Sequence, residues 1–427
     1  MKVKRIFAAL TAAVMFVSFF AFSAFAEGEP AQKKNNYPLI FVHGLNGWGQ
    51  GEGINDVMPY WGASTGDLMA YLRSENYDAE SISVGPISSA WDRACEVYAQ
   101  LTGTRVDYGV AHSAKYGHLR YGRTYDKAIV PDWGQLDNEG KIKKIHLIGH
   151  SFGGTAIRML TELLTNGSAE EIAATSPDDI SPLFTGGKGN WVQSVSTICT
   201  PHNSSSLYYI LERLKLTKIV LNLSAAYVGS VGRSSVNGRY VDFHLEQFGL
   251  TNIPGQKNAD NYFKAVRRFV KSGDCAQFDI YPQGAAAINE AIGINDEVYY
   301  FGYAFSTTET SKRLKTEIPI KSTNPLLKIT AAYIGMLPSF TDKNVGITYD
   351  KSFRPNDGFV NTVSQMYPFD DPHTEFNASS IEPGIWNVMP VSQGDHGTAI
   401  GLLVKEDKVD EFHAFYDRMV DLLDSLD

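Results

Sequence analysis

Short, continuously apolar runs alternate along the chain with longer segments in which apolar residues recur at helical spacing. A continuous apolar run is typical of a strand buried on both faces of a parallel sheet, whereas helical spacing is typical of an amphipathic helix. Strands are predicted at residues 38–42, 82–84, 142–148, 192–199 and 298–305, and helices at residues 67–72, 156–164 and 409–423. This alternation predicts an α/β fold with a mostly parallel central sheet and helices on both of its faces.

The most informative turn is Gly149-His150-Ser151-Phe152-Gly153, which stands between a predicted strand and a predicted helix. A turn this tight forces its central residue into strained backbone geometry, and side chains at the flanking positions would collide with the strand and the helix. Ser151 would therefore present its hydroxyl at the tip of a sharp elbow. The motif alone is common, but this setting favours a catalytic nucleophile over an ordinary turn.

A second signature, His43-Gly44-Leu45, follows the first predicted strand. A glycine there lets the backbone turn back towards the nucleophile, so that the amide groups of Leu45 and Phe152 can form an oxyanion hole. Alone, this sequence favours an ordinary glycine-rich turn; beside the serine elbow, it favours the oxyanion hole. The two turns predict an α/β-hydrolase fold, in which an acid and then a histidine follow the serine.

The general base must come from the histidines after Ser151, which are His202, His244, His373, His396 and His413. His396 lies in a glycine-containing loop between an apolar run and the last predicted helix, which is the best placement for a base. His202 follows the serine too soon to leave room for an acid, and the other three lie in helical or polar surroundings. The alternative is that His396 is an ordinary surface histidine.

Asp357 is the candidate acid, because Asn356-Asp357-Gly358 precedes an apolar pair and the glycine lets the loop turn inwards. An aspartate is needed to hold the imidazole in the tautomer that accepts the serine proton, and to stabilise the imidazolium that forms. An Asp-Gly pair is usually only a turn, so Asp350 and Asp370 remain alternatives on these grounds.

Residues 1–26 have the features of a secretory signal peptide: basic residues, an apolar run and the small-residue site Ala24-Phe25-Ala26. A membrane anchor is disfavoured because polar residues follow that site without a basic flank. Residues 27–36 are expected to be a disordered lead-in, and residues 37–427 a hydrolase domain. No later segment offers about 20 consecutive apolar residues, so no stable membrane insertion is expected.

The 427 residues carry a formal net charge of -9, and loss of the leader would remove three basic residues and no acidic one. An acidic chain without basic runs argues against nucleic acid and anionic membranes as partners. Cys95, Cys199 and Cys275 allow at most one intramolecular disulfide, so the fold must be stabilised by its core.

Several longer motifs point to one family. They are Phe41-Val42-His43-Gly44-Leu45-Asn46-Gly47-Trp48-Gly49, Val84-Gly85-Pro86-Ile87-Ser88-Ser89-Ala90-Trp91-Asp92-Arg93-Ala94-Cys95-Glu96, Val106-Asp107-Tyr108-Gly109, Gly149-His150-Ser151, Thr200-Pro201-His202, Asn356-Asp357-Gly358 and Asp395-His396. With these motifs the chain resembles the secreted, zinc-containing thermoalkalophilic bacterial lipases, relatives of the staphylococcal lipases. The resemblance implies Ser151 as nucleophile, Asp357 as acid and His396 as base, with Leu45 and Phe152 at the oxyanion-hole positions.

His112 and His118 stand in a glycine-containing loop, where they could close on a metal or could be solvated. The resemblance implies that they bind zinc, with Asp92 and Asp279 as the two carboxylate ligands. Four protein ligands would leave no open position for water, so the zinc would be structural rather than catalytic. It would hold an insertion at about residues 86–125 against the core.

The chain departs from the family pattern at two kinds of position. Family members hold calcium with acidic residues two and seven positions after the catalytic histidine, and Thr398 and Leu403 stand there in this chain, which argues against a calcium site. Many relatives have Ala and Gln where this chain has Gly149 and Phe152. Since the oxyanion donor is a backbone amide, Phe152 is expected to preserve it and to alter the acyl pocket.

Residues 207–221 have helical spacing and a broad apolar face. A core helix is the simplest interpretation. In the resembling lipases this region, here about residues 203–250, is a helical lid that covers the ester-binding cleft and opens at a lipid surface. The resemblance therefore favours a lid.

Together these features predict a secreted triacylglycerol lipase that acts on a lipid or ester substrate through a Ser-His-Asp triad and an acyl-enzyme. A short-chain carboxylesterase or polyesterase is the nearest alternative. A non-catalytic binding module on the same fold, and a metallohydrolase built on His112 and His118, are the others.

Overall fold

The computed structural model describes residues 33–215, 242–249, 268–269 and 271–426. The predicted signal peptide at residues 1–26 and most of the predicted lead-in lie outside the described residues. So do residues 216–241 and 250 of the predicted lid. In the described part of the chain, no helix combines the length and the apolar character needed to cross a membrane.

The strands and helices are numbered in chain order. The strands are β1 (Leu39–Val42), β2 (Ala79–Ile82), β3 (Arg105–Asp107), β4 (Tyr121–Thr124), β5 (Ile145–His150), β6 (Val192–Ile198), β7 (Tyr299–Tyr303), β8 (Phe305–Ser306), β9 (Thr308–Thr310), β10 (Glu317–Pro319), β11 (Phe340–Asp342), β12 (Ile347–Tyr349), β13 (His373–Glu375), β14 (Trp386–Val388) and β15 (Ser392–Gln393). The helices are α1 (Leu68–Ser74), α2 (Ala90–Thr102), α3 (Val110–Tyr116), α4 (Phe152–Asn166), α5 (Ala169–Ala174), α6 (Leu207–Arg213), α7 (Ala276–Ile280), α8 (Pro282–Ala291), α9 (Lys328–Gly335), α10 (Thr362–Met366) and α11 (Val409–Asp424).

Seven of the strands form one sheet in the order β13-β14-β7-β6-β5-β1-β2, and each of its pairings is parallel. Strand β5 lies between β1 and β6, where Val42 pairs with Gly149 and His150 pairs with Ile198. The predicted parallel sheet is confirmed. Because the strands are parallel, the turns that follow β1, β5 and β6 meet at one edge, where an α/β sheet binds its ligands.

Strand β1 shows why its apolar run is unbroken. Ile40 and Val42 belong to the core that packs against α2 and α4, whereas Leu39 and Phe41 belong to the core that packs against α1 and α11. Successive strand residues point to opposite faces of a sheet. Both faces are therefore covered by helices, as the sequence pattern predicts.

Some element bounds differ from the prediction. The strand predicted at residues 82–84 lies earlier, as β2, and the helix predicted from residue 156 begins at Phe152. The strand predicted at residues 298–305 is divided into β7 and β8, because β8 leaves the main sheet and pairs with β15. These shifts leave the order of the elements unchanged.

Candidate active site

The turn between β5 and α4 holds Ser151 in a strained conformation, with φ 54° and ψ -127°. A positive φ is uncommon for a residue that has a side chain. Two glycines permit the turn, because a Cβ on Gly149 would lie 2.5 Å from the Gly154 nitrogen and one on Gly153 would lie 2.2 Å from the Val42 oxygen. The backbone thus forms a sharp elbow with Ser151 at its tip.

Hydrogen bonds hold the elbow in place on both sides of the serine. The Ser151 N–H donates to the Ile198 carbonyl at 2.8 Å. The Thr200 hydroxyl donates to the Ser151 carbonyl at 2.9 Å. Both partners lie at the end of β6 or just beyond it, so the neighbouring strand supports the strained residue.

His396 and Asp357 form a close pair. The distance between His396 Nδ1 and Asp357 Oδ2 is 2.7 Å, and the His396 N–H donates to the Asp357 carbonyl at 2.9 Å. The other carboxylate oxygen accepts the N–H groups of Phe359 and Val360 at 2.9 and 2.7 Å. With Asp357 accepting the Nδ1 proton, Nε2 of the neutral ring is left free to accept a proton.

The geometry separates Asp357 from the other candidate acids. Asp357 is fully buried beside the imidazole, whereas Asp350 and Asp370 are exposed. Asp350 accepts hydrogen bonds from Ser352, two residues away. The structure therefore brings only Asp357, among these three, to His396.

The remaining histidines have other neighbours. His202 is buried beside Arg158, His413 stacks on Tyr71 at a ring distance of 4.0 Å, and His373 stacks on Tyr367 at 3.7 Å. His244 lies between two carboxylates far along the chain from Asp357. His396 is thus the histidine that the fold pairs with the candidate acid.

The loop that carries His396, called the base loop here, is joined to the loop after β1 by a path of hydrogen bonds. His150 Nε2 lies 3.1 Å from the His396 carbonyl, and its Nδ1 lies 2.7 Å from the Tyr60 hydroxyl. That hydroxyl also accepts the Gly44 N–H at 2.9 Å. Burial, with the nearby charge of His396, holds the pKa of His150 well below its usual value, so the ring is a neutral link in this path.

Leu45 and Phe152 lie on the two turns that flank Ser151. A Cβ built on Gly44 would be 2.7 Å from the Ser151 Cβ, so the loop that carries Leu45 touches the nucleophile. Ser151 is the N-cap of α4, and Phe152 is therefore the first residue of a helix, whose N–H has no partner within that helix. Both residues thus lie next to Ser151 along the chain or in space.

The Phe152 side chain does not lie open to solvent. It is 1% exposed, belongs to the core that packs on α2 and α4, and contacts the Arg93 guanidinium at 5.0 Å from its ring centroid. The expectation that Phe152 alters the acyl pocket therefore has no support in its packing. Its side chain packs in the hydrophobic core instead.

A second group of polar side chains lies at the start of α2. Asp92, His112, His118 and Asp274 each offer a ligand atom within 4.8 Å of the others. His112 Nε2 is 3.3 Å from Asp92 Oδ1 and 3.2 Å from Asp274 Oδ2, and His118 Nε2 is 3.1 Å from Asp274 Oδ2. His118 Nδ1 lies 2.8 Å from the Leu119 carbonyl, which holds the ring proton there and leaves Nε2 for a metal.

This group fits a metal ion on structural grounds. Asp92 Oδ1 and His118 Nε2 are buried, and the contact that each makes with a neighbouring ligand atom does not have hydrogen-bond geometry. Burial, and then the charge of Asp274, raise the pKa of Asp92, so a cation beside Asp92 would stabilise its ionised form, whereas, against the effect of burial, His112 and His118 already lower the pKa of Asp274. Two nitrogen and two oxygen donors suit a tetrahedral structural zinc site.

The fourth ligand position requires a correction: the structure brings Asp274, not the predicted Asp279, into the group. Asp274 precedes helix α7, whereas Asp279 lies within it and faces the start of α2, where its Oδ2 accepts the Ala90 N–H at 2.8 Å. Burial raises the pKa of Asp279 to about 7. A β-bridge between Ser88 and Cys275 brings Asp274 to the other ligands, and no spacing in the sequence indicates that bridge.

Two described pieces of the predicted lid region contact the rest of the fold. Helix α6 packs through Tyr209 on the rings of Phe340 and Tyr349, at 4.8 and 5.0 Å. Residues 242–249 pack on the metal-binding group. The helical prediction for residues 207–221 holds for α6 but is wrong for Leu214 and Lys215, where the helix ends in a turn with Lys215 at φ 54°; residues 216–221 lie outside the described residues.

The parallel sheet, the serine elbow after β5 and the His396–Asp357 pair define the chain as an α/β-hydrolase fold protein. It belongs to the family described as lipase-like, C-terminal domain, which it matches over residues 35–426. The lipase family relationship that its motifs predict is thereby confirmed.

The chain is similar to Lipase 2 of Staphylococcus aureus, with 36% identity over 381 residues, which are 87% of this chain and 51% of that protein. It thus spans about half the length of the curated relatives it matches. It is also similar to the crystal structure of Staphylococcus hyicus lipase, with a TM-score of 0.77 and 31% identity over 94% of this chain and 98% of that one. For lipase 1 from Pelosinus fermentans the TM-score is 0.72 and the identity 35%, over 90% and 98% of the two chains.

Proposed function

We propose that this protein is an exported lipase that hydrolyses triacylglycerols through Ser151, His396 and Asp357. The observation that carries the proposal is the 2.7 Å contact between His396 Nδ1 and Asp357 Oδ2, in a loop bonded to the residue before Ser151. Membership in a lipase-like family supports the choice of ester substrates. Export rests on the signal-peptide features of residues 1–26.

In the first half of the reaction, Ser151 Oγ attacks the ester carbonyl carbon while its proton passes to Nε2 of His396. The carbonyl electron pair moves onto the oxygen, and the Leu45 and Phe152 amides stabilise the resulting oxyanion. Collapse breaks the bond to the alcohol, which takes the proton from His396 as it leaves. The acyl group then remains on Ser151.

In the second half, His396 takes a proton from a water molecule as the water oxygen attacks the acyl carbon. The second tetrahedral intermediate collapses, the bond to Ser151 Oγ breaks, and His396 returns the proton to that oxygen. The fatty acid is released. Asp357 accepts the Nδ1–H of His396 throughout and stabilises the imidazolium in both halves.

Ser151→Ala tests the proposal with a soluble chromogenic ester. Turnover is expected to vanish, with an unchanged melting temperature and unchanged bound metal. Ser380→Ala is the matched control, because Ser380 is exposed and far from the elbow in sequence. Retained hydrolysis in Ser151→Ala, or loss of a fluorophosphonate label only in Ser380→Ala, would refute the role of Ser151.

A carboxylesterase or polyesterase acting on short-chain or polymeric esters is the second candidate, since it would use the same triad. Leu45 and Phe359 are 40% and 36% exposed beside the site, and apolar groups at its mouth favour a long acyl chain. A series of esters of increasing chain length, with and without an emulsion, separates the two. A maximum at short chains without interfacial activation would favour the esterase.

The metal in this proposal is a structural zinc ion held by Asp92, His112, His118 and Asp274. When bound, it would supply positive charge beside the two buried carboxylates and would connect α2 and α3 to the segment before α7. The rival metallohydrolase predicts that a chelator stops turnover at ambient temperature. The structural role predicts that a chelator mainly lowers the melting temperature.

The region of residues 203–250 is proposed to act as a lid over the ester cleft. Support comes from α6, whose side chains are largely apolar. Tyr209 of this helix packs on Phe340, and other apolar side chains of α6 are partly exposed to solvent. Opening would exchange contact with protein for contact with lipid. The test is to cross-link residues 203–250 to the rest of the protein and to measure ester hydrolysis with and without an emulsion. A lid predicts that the cross-link abolishes interfacial activation.

A further inference from the structure

Arg93 is a fully buried cation in α2 whose four hydrogen bonds all go to backbone carbonyl groups. Its Nε donates to Gly85 at 2.9 Å, its Nη1 to His43 at 3.0 Å, and its Nη2 to Gly44 and Pro86 at 3.1 and 2.9 Å. Burial lowers the pKa of Arg93 to about 10. Burying a charge carries a desolvation cost that an apolar side chain of similar size would avoid. The guanidinium is therefore explained by its hydrogen-bond donors rather than by its volume.

The Gly44 carbonyl is the most heavily bonded of these acceptors. It accepts from Arg93 Nη2, from the Gly47 N–H at 3.2 Å and from His43 Nδ1 at 2.9 Å. The Val84 N–H donates to His43 Nε2 at 3.1 Å, so the proton of the neutral ring is on Nδ1, where it can be donated. Three donors therefore fix the direction of one carbonyl.

That carbonyl shares a peptide plane with the Leu45 amide. No cis peptide bond occurs among the described residues, and in a planar trans peptide the C=O and N–H groups point in opposite directions. Fixing the Gly44 carbonyl consequently fixes the Leu45 N–H. The loop touches the Ser151 side chain, so this N–H lies close to the reacting atoms.

Arg93 also contacts the residue that supplies the second oxyanion donor. Its guanidinium packs over the Phe152 ring, at 5.0 Å from the centroid, in a cation–π arrangement. One side chain therefore bridges the loop after β1 and the first residue of α4. The two amides that must meet the same oxygen atom are held by a common support.

We infer that Arg93, assisted by His43, is a positioning residue that aims the Leu45 amide at the ester oxyanion and fixes its distance from the Phe152 amide. The inference rests on the proposed function, because an oxyanion forms only if Ser151 attacks an ester. It assigns to Arg93 no contact with substrate. Its effect is on the transition state rather than on binding of the intact ester.

Two substitutions test this role. Arg93→Met removes all the donors at similar length, and Arg93→Lys keeps the charge but cannot reach every carbonyl at once. Loss of one oxyanion donor lowers kcat by about 10²–10³-fold. Misorientation of the Leu45 N–H in Arg93→Met is therefore expected to lower kcat by about 10- to 100-fold. KM should change by less than about threefold, and Arg93→Lys should fall between Arg93→Met and the native enzyme.

The affinity of a transition-state analogue separates this role from a general loss of stability, because a lower stability of the folded protein does not by itself change the inhibition constant. An alkylboronic acid adds to Ser151 as a tetrahedral adduct, and its Ki should rise by the factor by which kcat/KM falls. Arg158→Met is the matched control, because Arg158, within α4, is also buried but contacts Asn289 and His202 instead of the loop after β1. It should lower the melting temperature and leave the boronate Ki near the native value.

A folded Arg93→Met enzyme with native kcat, or with a raised KM and an unchanged boronate Ki, would overturn the inference. If Arg93→Met does not fold, the same measurements on Arg93→Lys decide. A native protein without any ester hydrolysis would overturn the proposed function and this inference with it. Native activity combined with unaffected Arg93 variants would overturn this inference alone.

Discussion

Gln247 donates a hydrogen bond from its Nε2 to Oδ2 of Asp92 over 2.7 Å. The backbone carbonyl of Gln247 accepts the Leu119 N–H at 2.8 Å, and the neighbouring Phe248 ring lies 5.0 Å from the His118 ring. Residues 242–249 are thus attached directly to the metal-binding group. An ion held by Asp92 would stabilise this segment as well as its own ligands.

Removal of the metal is therefore expected to lower the melting temperature. A ligand at 100-fold excess over its Kd contributes about 2.7 kcal/mol to folding, and the buried Asp92 carboxylate would also lose a nearby positive charge. Asp274→Asn should bind less zinc, measured by elemental analysis, and should melt earlier. Asp279→Asn is the matched control and should retain the metal, since Asp279 bonds to Ala90 instead. Metal loss in Asp279→Asn alone would restore the original assignment.

Asp357→Asn is expected to lower kcat by about 10⁴-fold, because an amide cannot hold His396 in the tautomer that accepts the serine proton. The Phe359 and Val360 amides that bond to Asp357 should limit the change in the fold. Steady-state kinetics with a soluble ester would measure the loss. Asp350→Asn should keep native turnover, and a similar loss in both variants would contradict the assignment.

The stability of the protein is expected to fall between about pH 7 and pH 10 through His244. Burial and Arg123 would lower the pKa of His244, but Glu52, Asp242 and Glu96 outweigh them and raise it to about 9. The unfolded value is about 6.5. The stabilisation is therefore complete below about pH 6.5 and is lost as the pH rises through about 9, on the order of 3 kcal/mol.

His244→Gln should flatten this part of the profile in melting curves recorded at saturating metal. The variant should be less stable than the native protein at pH 6, where Glu52 and Glu96 lose the positive charge of His244, and closer to it at pH 10. His373→Gln is the control, because His373 is exposed. A native slope in His244→Gln would show that another group titrates.

Calcium is expected to have no effect on thermal stability. The base loop is held by protein groups: the Ser64 hydroxyl donates to Gly401 at 2.6 Å and accepts from Val404 at 2.9 Å, while Thr398 donates to Asp395 at 3.1 Å. Ser64→Ala should cost about 1–2 kcal/mol of stability. Melting curves with added calcium should coincide with those without it, for both proteins. A calcium-dependent rise in either would reveal a site.

The main chain of this fold is largely predictable from local patterns. Buried strands such as β1 and β5 are unbroken apolar runs, and the elbow at Ser151 needs glycines at fixed positions. His396 could be chosen because a base must follow the serine and precede the last helix. Sequence order and periodicity contain all of this information.

Contacts between distant segments are not predictable in this way. Asp274 and Asp279 lie five positions apart, and only the bridge between Ser88 and Cys275 decides which of them reaches the metal-binding group. Arg93 looks like any helical arginine in the sequence. Its role depends on carbonyl groups from two separate loops, and no local pattern reports where those groups point.

The burial of Phe152 has a consequence for engineering. A saturation library at the position after the nucleophile would mostly sample core packing against Arg93, and would yield unstable variants rather than new specificities. Leu45 is 40% exposed, and Phe359 is 36% exposed with its ring edge-on to His396 at 5.4 Å. Directed evolution of substrate range should begin at those two side chains.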